Sequence, residues 1–239
     1  MRPSDPAPVP SLRSTPQSDD LQPAEAIHPV VAALTEAARG WRVPVVTEMA
    51  RARRDPFRVL IACVLSSRTK DEVTGEAASR LFAAADAPEA MAALGQGRIA
   101  KLVYPVGFYN TKARHLVAIC RELSNRWEGR VPEEMDELLT LPGVGRKTAN
   151  LVLTQGFGKP GICVDTHVHR IANRLGYVQT KTPRETEFAL REKLPPEHWI
   201  VINDLLVAFG QHCCTPVSPH CSTCPVSAHC WRVGVGRSR

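Results

Sequence analysis

Residues 141–153 read LPGVGRKTANLVL, a proline- and glycine-punctuated turn running into an apolar helical pattern, with Lys147 at the junction. A cation is misplaced at a helix N-terminus, where the macrodipole is already positive. Two chemistries answer this. Lys147 can bind a phosphate beside Arg146, or it can act as an amine nucleophile once uncharged. The second is demanding, because an ordinary lysine lies about 3.4 pH units, or roughly 4.6 kcal/mol, from being a neutral amine at pH 7. The helix terminus supplies at most about 2 kcal/mol of that. Burial against a bound molecule, or a carboxylate nearby, must supply the remainder. Asp165, 18 residues further on in CVDTHVHR, is the candidate; standing alone it reads as the N-cap of the next helix.

The turn has a use of its own. Gly143 and Gly145 let the backbone take positive φ and let another backbone come close. The amides of Gly143, Gly145 and the first turn after Arg146 lack helical partners, which suits a phosphate oxygen. Such contacts hold a duplex in register without reading its sequence.

The eight cysteines are unevenly placed. Cys63, Cys120 and Cys163 lie among apolar neighbours and read as small core residues, whereas Cys213, Cys214, Cys221, Cys224 and Cys230 crowd into residues 213–230. The first residues carry no apolar secretory core, so the expected compartment is cytoplasmic and the crowding speaks for metal rather than disulfides. Cys214-x6-Cys221-x2-Cys224-x5-Cys230 puts four soft thiolates in a proline-rich loop able to wrap one compact inorganic cluster. Zinc is the competing reading. It usually takes two close ligand pairs, and only one C-x2-C occurs here, but His212, His220 and His229 keep a mixed site open. Cys213 falls outside the spacing and is expected to be a non-ligand neighbour.

With 239 residues, 44% hydrophobic and 23% charged, the chain can build one large domain or two lobes with real cores. A formal charge of +6 weakly favours a polyanionic partner. No apolar run approaches the ~18 residues of a membrane span, and a monomer is expected. Residues 1–26, rich in proline among Ser, Asp and Gln, read as a disordered tail. From Ile27 onward helical patterns alternate with short Gly/Pro breaks. One covers 27–38, stopped by Gly40. Two lie within 57–82 and break near Ser66 and Ser67, and three more follow across 87–127. Pro132 opens a helix through Leu139, and the pattern resumes over 146–155. Val168, Ile171, Ala172 and Leu175 share one face, and further helices fit 184–193 and 200–209. Period-2 strand patterns are missing, so the class is all-α.

LPGVGRKTA resembles the helix-hairpin-helix of DNA base-excision glycosylases. The hairpin lysine followed by a capped Val-Asp-Thr-His, together with the 6-2-5 cysteine spacing, resembles the endonuclease III family over residues 27–230. The resemblance implies an all-α, two-lobed fold. A six-helix lobe at 49–159, with the helix-hairpin-helix at 133–155, is inserted into an iron–sulfur cluster lobe made of 27–48 and 160–231, and a basic tail follows at 232–239. It implies a base-excision repair glycosylase that removes oxidised pyrimidines from duplex DNA and cleaves abasic sites by β-elimination. Lys147 then attacks the deoxyribose C1′ to form an imine, Asp165 assists proton transfer, and Cys214, Cys221, Cys224 and Cys230 hold a [4Fe–4S] cluster. VLSSRTKDEVT matches the segment facing the emptied duplex; it carries Arg68, where family members typically have glutamine, and Lys70. VGFYNTKA matches the wedge loop and places Phe108 as the inserted residue. Gly143, Val144, Gly145, Arg146 and His167 complete the expected DNA-facing set, His167 in a structural or phosphate-side role. Two alternatives stand beside this: an adenine-mismatch glycosylase, whose branch lacks the hairpin lysine, and a non-catalytic helix-hairpin-helix module.

Overall fold

The computed structural model describes residues 21–42 and 44–239, and no β-strand occurs among them. Eleven α-helices follow in order within that span: α1 (Ile27–Ala37), α2 (Val45–Ala52), α3 (Pro56–Ser66), α4 (Asp71–Ala84), α5 (Pro88–Val103), α6 (Tyr109–Trp127), α7 (Met135–Thr140), α8 (Arg146–Leu151), α9 (Thr166–Leu175), α10 (Pro183–Lys193) and α11 (Ile202–His212).

The local causes are plain. Asp55 Oδ1 accepts from the amides of Phe57 (3.0 Å) and Arg58 (3.2 Å), and Pro56 occupies the first helical position, so α3 starts where both signals coincide. Phe57 and every residue from Val59 to Leu65 are buried. A helix apolar all round must sit at the centre, and α3 does, packed against α2, α4, α6 and α8. Gly95, with φ 70°, bends α5 into two halves. The helix expected from Pro132 begins only at Met135, and α8 continues as a π-turn over Val152–Phe157.

Two hydrophobic cores result. One gathers α2 to α8 around α3. The other joins α1, α9 and α11 to Leu190 of α10 and Val226 of the cysteine loop. Val46 and Ala50 of α2 already belong to the first core, so the expected boundary at residue 49 falls inside that helix.

The expected disordered tail ends earlier than residue 26. Residues 1–20 lie outside the described residues, but residues 21–26 are ordered. The Gln22 amide group donates to the carbonyls of Leu175 and His229, and Tyr177 Oη donates to Ala24 O at 3.0 Å. Residues 232–239 fold over the cysteine loop. Val235 is buried, and Arg239 N donates to Pro219 O at 2.8 Å. Hydrogen bonds and apolar burial compensate the ordering entropy that composition alone left uncovered.

Candidate active site, DNA-facing loops and cluster site

The hairpin joins α7 to α8. Gly143 takes φ +76°, and a Cβ there would strike the His115 ring, so glycine is required on two counts. Gly145 differs from expectation: its φ is −103°, and a Cβ would meet nothing within 4 Å. Its value is open space on an exposed turn. Neither glycine amide has a hydrogen-bond acceptor among the described residues, as an anion site at a helix start needs. Val144 turns inward. Its amide donates to Leu141 O at 3.1 Å and its side chain is buried, leaving nothing for a phosphate.

Arg146 is paired within the protein. Its Nε donates to Glu187 Oε2 at 2.8 Å and its Nη2 to Oε1 at 2.6 Å. Asn150 and Arg191 donate to the same carboxylate. The guanidinium therefore anchors the hairpin to α10.

Lys147 is the second residue of α8 and is exposed. Asp165 caps α9: its Oδ1 accepts from His167 N at 2.8 Å and Val168 N at 2.9 Å. Its Oδ2 accepts no hydrogen bond among the described residues, so capping uses one oxygen and leaves the other. No ion pair joins Lys147 to Asp165, yet both charges act on the same two groups. Burial lifts the Cys163 thiol well above its ordinary range, with Lys147 opposing and Asp165 adding. Burial also lowers the His167 imidazole, against Asp165 and with help from Arg170 and Lys147. Cys163 Sγ lies 3.6 Å from the carbonyl of Lys147. Cys63, buried in α3, is pushed up to about 12 by desolvation, with Lys147 again opposing. His167 faces inward: its Nδ1 meets Arg170 Nη2 at 3.1 Å and its ring abuts Gly210.

Arg68 and Phe108 stand on neighbouring loops, both left-handed at φ 52° and 56°. Phe108 is 62% exposed, and the Arg68 guanidinium lies 5.6 Å from its ring centroid. Packing does not explain Phe108, because Tyr104 and Tyr109 pair edge-to-face with each other. Lys70 is exposed at the start of α4.

Cys214, Cys221, Cys224 and Cys230 line one cavity with Ile171, Leu175 and Phe209. All four are free thiols. Their sulfurs are not gathered for a single ion. Among the described residues, only His28, Glu197 and His198 form a group whose ligand atoms all lie within 4.8 Å of one another. A tetrahedral zinc would need sulfurs about 3.8 Å apart, whereas a cuboidal cluster sets each thiolate on its own iron and spaces them more widely. Arg174 Nη1 and the Arg232 amide each approach a sulfur, of Cys214 and Cys230, at 3.4 Å, the donors a thiolate cluster accepts. Cys213 is buried, with Sγ 3.5 Å from His220 O.

Residues 61–196 match the HhH-GPD superfamily of base excision DNA repair proteins. The chain belongs to that superfamily. Residues 214–230 match the iron–sulfur binding domain of endonuclease III. Endonuclease III of Thermotoga maritima is 50% identical over 176 residues, 74% of this chain and 83% of that one. Endonuclease III-like protein 1 of Bos taurus is 44% identical over 177 residues, covering 73% of this chain and 58% of the longer relative. Among solved structures, a trapped endonuclease III–DNA covalent intermediate with an estranged adenine superposes with TM-score 0.78 at 33% identity, covering 88% of this chain and 96% of that one. A thermostable thymine-DNA glycosylase gives 0.72 at 26% identity, covering 85% and 93%. This HhH-GPD protein is thus a base-excision DNA glycosylase of the endonuclease III family, and its C-terminal domain carries a [4Fe–4S] cluster. No helix among the described residues is long and apolar enough to cross a membrane.

Asp204, Glu187 and Lys112 escaped the sequence reading. Asp204 is half-buried, its carboxyl raised by desolvation and held by Thr47 and Gln155. Each meets at least one partner 37 residues or more away, and no local pattern announces such contacts.

Proposed function

We propose that Lys147 is the nucleophile and Asp165 the proton acceptor of a bifunctional glycosylase/AP lyase acting on oxidised pyrimidines and abasic sites in duplex DNA. C1′ is inaccessible inside the stack, so the damaged nucleotide must leave it. Lys147 Nζ then bonds to C1′ as the N-glycosidic bond breaks and its electron pair departs with the base. The proton released from Nζ passes to the free Oδ2 of Asp165. The Nζ lone pair then opens the C1′–O4′ bond as O4′ takes the proton back from Asp165, and loss of a C2′ proton from the resulting imine breaks the C3′–O bond and expels the 3′ phosphate. Because Lys147 is exposed in the free protein, its desolvation has to come from the inserted nucleotide.

The observation that carries this reading is the shared neighbourhood of the two residues: Cys163, two positions before Asp165, sets its Sγ 3.6 Å from the Lys147 carbonyl. The amides of Gly143 and Gly145 would hold the duplex backbone beside them, with Arg68 and Lys70 facing the emptied strand. The four cysteines would hold the cluster as a structural group that shapes the loop between α11 and the C-terminus. A duplex substrate places the enzyme with the genome, in the cytoplasm and at the nucleoid of a bacterial cell.

Borohydride reduction with an abasic duplex tests the reading. The native chain forms a covalent adduct, and Lys147→Ala forms none while still binding the duplex. Equal trapping by Lys147→Ala would move the nucleophile elsewhere. No trapping by the native chain would leave a non-catalytic DNA-binding module or a monofunctional glycosylase.

A further inference from the structure

Lys112 lies in the first turn of α6 and is only 6% exposed. Its Nζ donates to Leu65 O at 2.8 Å, Ser67 O at 2.5 Å and Thr69 Oγ1 at 3.1 Å. All three ammonium hydrogens are thereby used. Two of these acceptors are carbonyls at the C-terminal end of α3, groups the helix leaves without partners. Thr69 Oγ1 also accepts from Gly107 N at 3.2 Å. A Cβ on Gly107 would lie 2.7 Å from Arg68 O, so only glycine permits this approach. The loop bearing Arg68 and the loop bearing Phe108 are therefore pinned to each other at Thr69 and Gly107, with Lys112 beneath.

We propose that Lys112 is a positioning residue that locks the Arg68 and Phe108 loops into one rigid unit for insertion into DNA. The proposal rests on the reading of those two loops as DNA-facing. Both tip residues hold left-handed backbone, which a non-glycine residue keeps only where its surroundings over-determine it. Lys112 supplies that constraint. It forms no ion pair among the described residues, and burial draws its amine down to about 8. Sequestering a cation without a carboxylate is costly, and an apolar side chain would fill the same space at no such cost. The charge is retained for its three directed donors.

The test compares Lys112→Met with Lys112→Arg, Arg68→Ala and Phe108→Ala in the cluster-loaded enzyme. Borohydride trapping is measured on an abasic duplex and on a single-stranded abasic oligonucleotide, which has no hole to fill and no stack to open. We expect Lys112→Met to lower duplex trapping at least tenfold while single-strand trapping stays within about twofold of native. Combining Lys112→Met with Phe108→Ala should cost no more than the worse single change, since both disable one unit. Lys112→Arg, which keeps directed donors, recovers part of the duplex activity. Thr69→Ala, a smaller change, reproduces the duplex-selective loss and guards against misfolding of the methionine variant. Equal losses on duplex and single strand, or full additivity of the double variant, would overturn the proposal. If Arg68→Ala and Phe108→Ala themselves leave duplex trapping unchanged, the DNA-facing reading of the loops fails instead.

Discussion

Arg146 and Glu187 meet as a two-pronged ion pair, Nε to Oε2 at 2.8 Å and Nη2 to Oε1 at 2.6 Å, with the Glu187 side chain only 4% exposed. The residue next to the candidate nucleophile is thus an anchor, and the hairpin is fixed to α10 before DNA arrives.

Glu187→Gln should lower stability by about 2 kcal/mol, because Arg146 and Arg191 lose a charged acceptor while an isosteric amide keeps the packing. Burial pushes the Glu187 carboxyl up, but hydrogen bonds from Arg146 and Asn150 and the charges of Arg146 and Arg191 outweigh it and hold it below its ordinary range. The unfolded chain therefore takes up this proton first on acidification. The contribution is complete above the ordinary carboxylate range and is lost as pH falls through the lowered value in the fold. Urea midpoints measured from neutral to acid pH check this: the native curve falls, and the difference from Glu187→Gln closes.

Asp165 separates capping from chemistry. Asp165→Asn keeps an oxygen for the amides of His167 and Val168 and should hold stability within about 0.5 kcal/mol, whereas Asp165→Ala costs about 1 kcal/mol. Both lose the free carboxylate oxygen, so single-turnover base release should fall on the order of a hundredfold in each. Unchanged turnover in the asparagine variant would reduce Asp165 to a cap.

Cys213 and Cys214 are adjacent and should behave oppositely. Cys213→Ser retains iron and the yellow-brown colour. Cys214→Ser loses both, together with thermal stability. Iron content and melting temperature, measured on anaerobically purified protein, decide it.

Arg68→Gln installs the residue typical of the family. On a lesion panel it should shift the preference for the opposite base by about tenfold, the size of one base-edge contact, with little change in affinity for undamaged duplex.

The helices expected from 57 and 184 begin one residue earlier, at Pro56 and Pro183, where a cap and a proline coincide, so local causes nearly sufficed. The cysteine spacing and the hairpin were readable for the same reason. Helix α2 was not singled out: its eight residues lie between Pro44 and an arginine-rich stretch, and its apolar pairs gain meaning only against α3. Lys112 looks like any surface lysine on an amphipathic helix until α3 places carbonyls against it. Arg146 invited a phosphate reading because its carboxylate partner lies 41 residues away. Long-range pairing decides the fate of a charge, and short-range pattern does not record it.

Helix α9 has Asp165 at one end, while Arg170 and Arg174 grip the carbonyls of Cys214, Thr215 and Pro216 further along. Ten residues make a strut of about 15 Å. Iron stripped by oxidants would slacken the far end of that strut, and the carboxylate would lose its aim although no metal ever touched the sugar. Damage to the cofactor would then silence repair through misalignment, without altering a single reacting group.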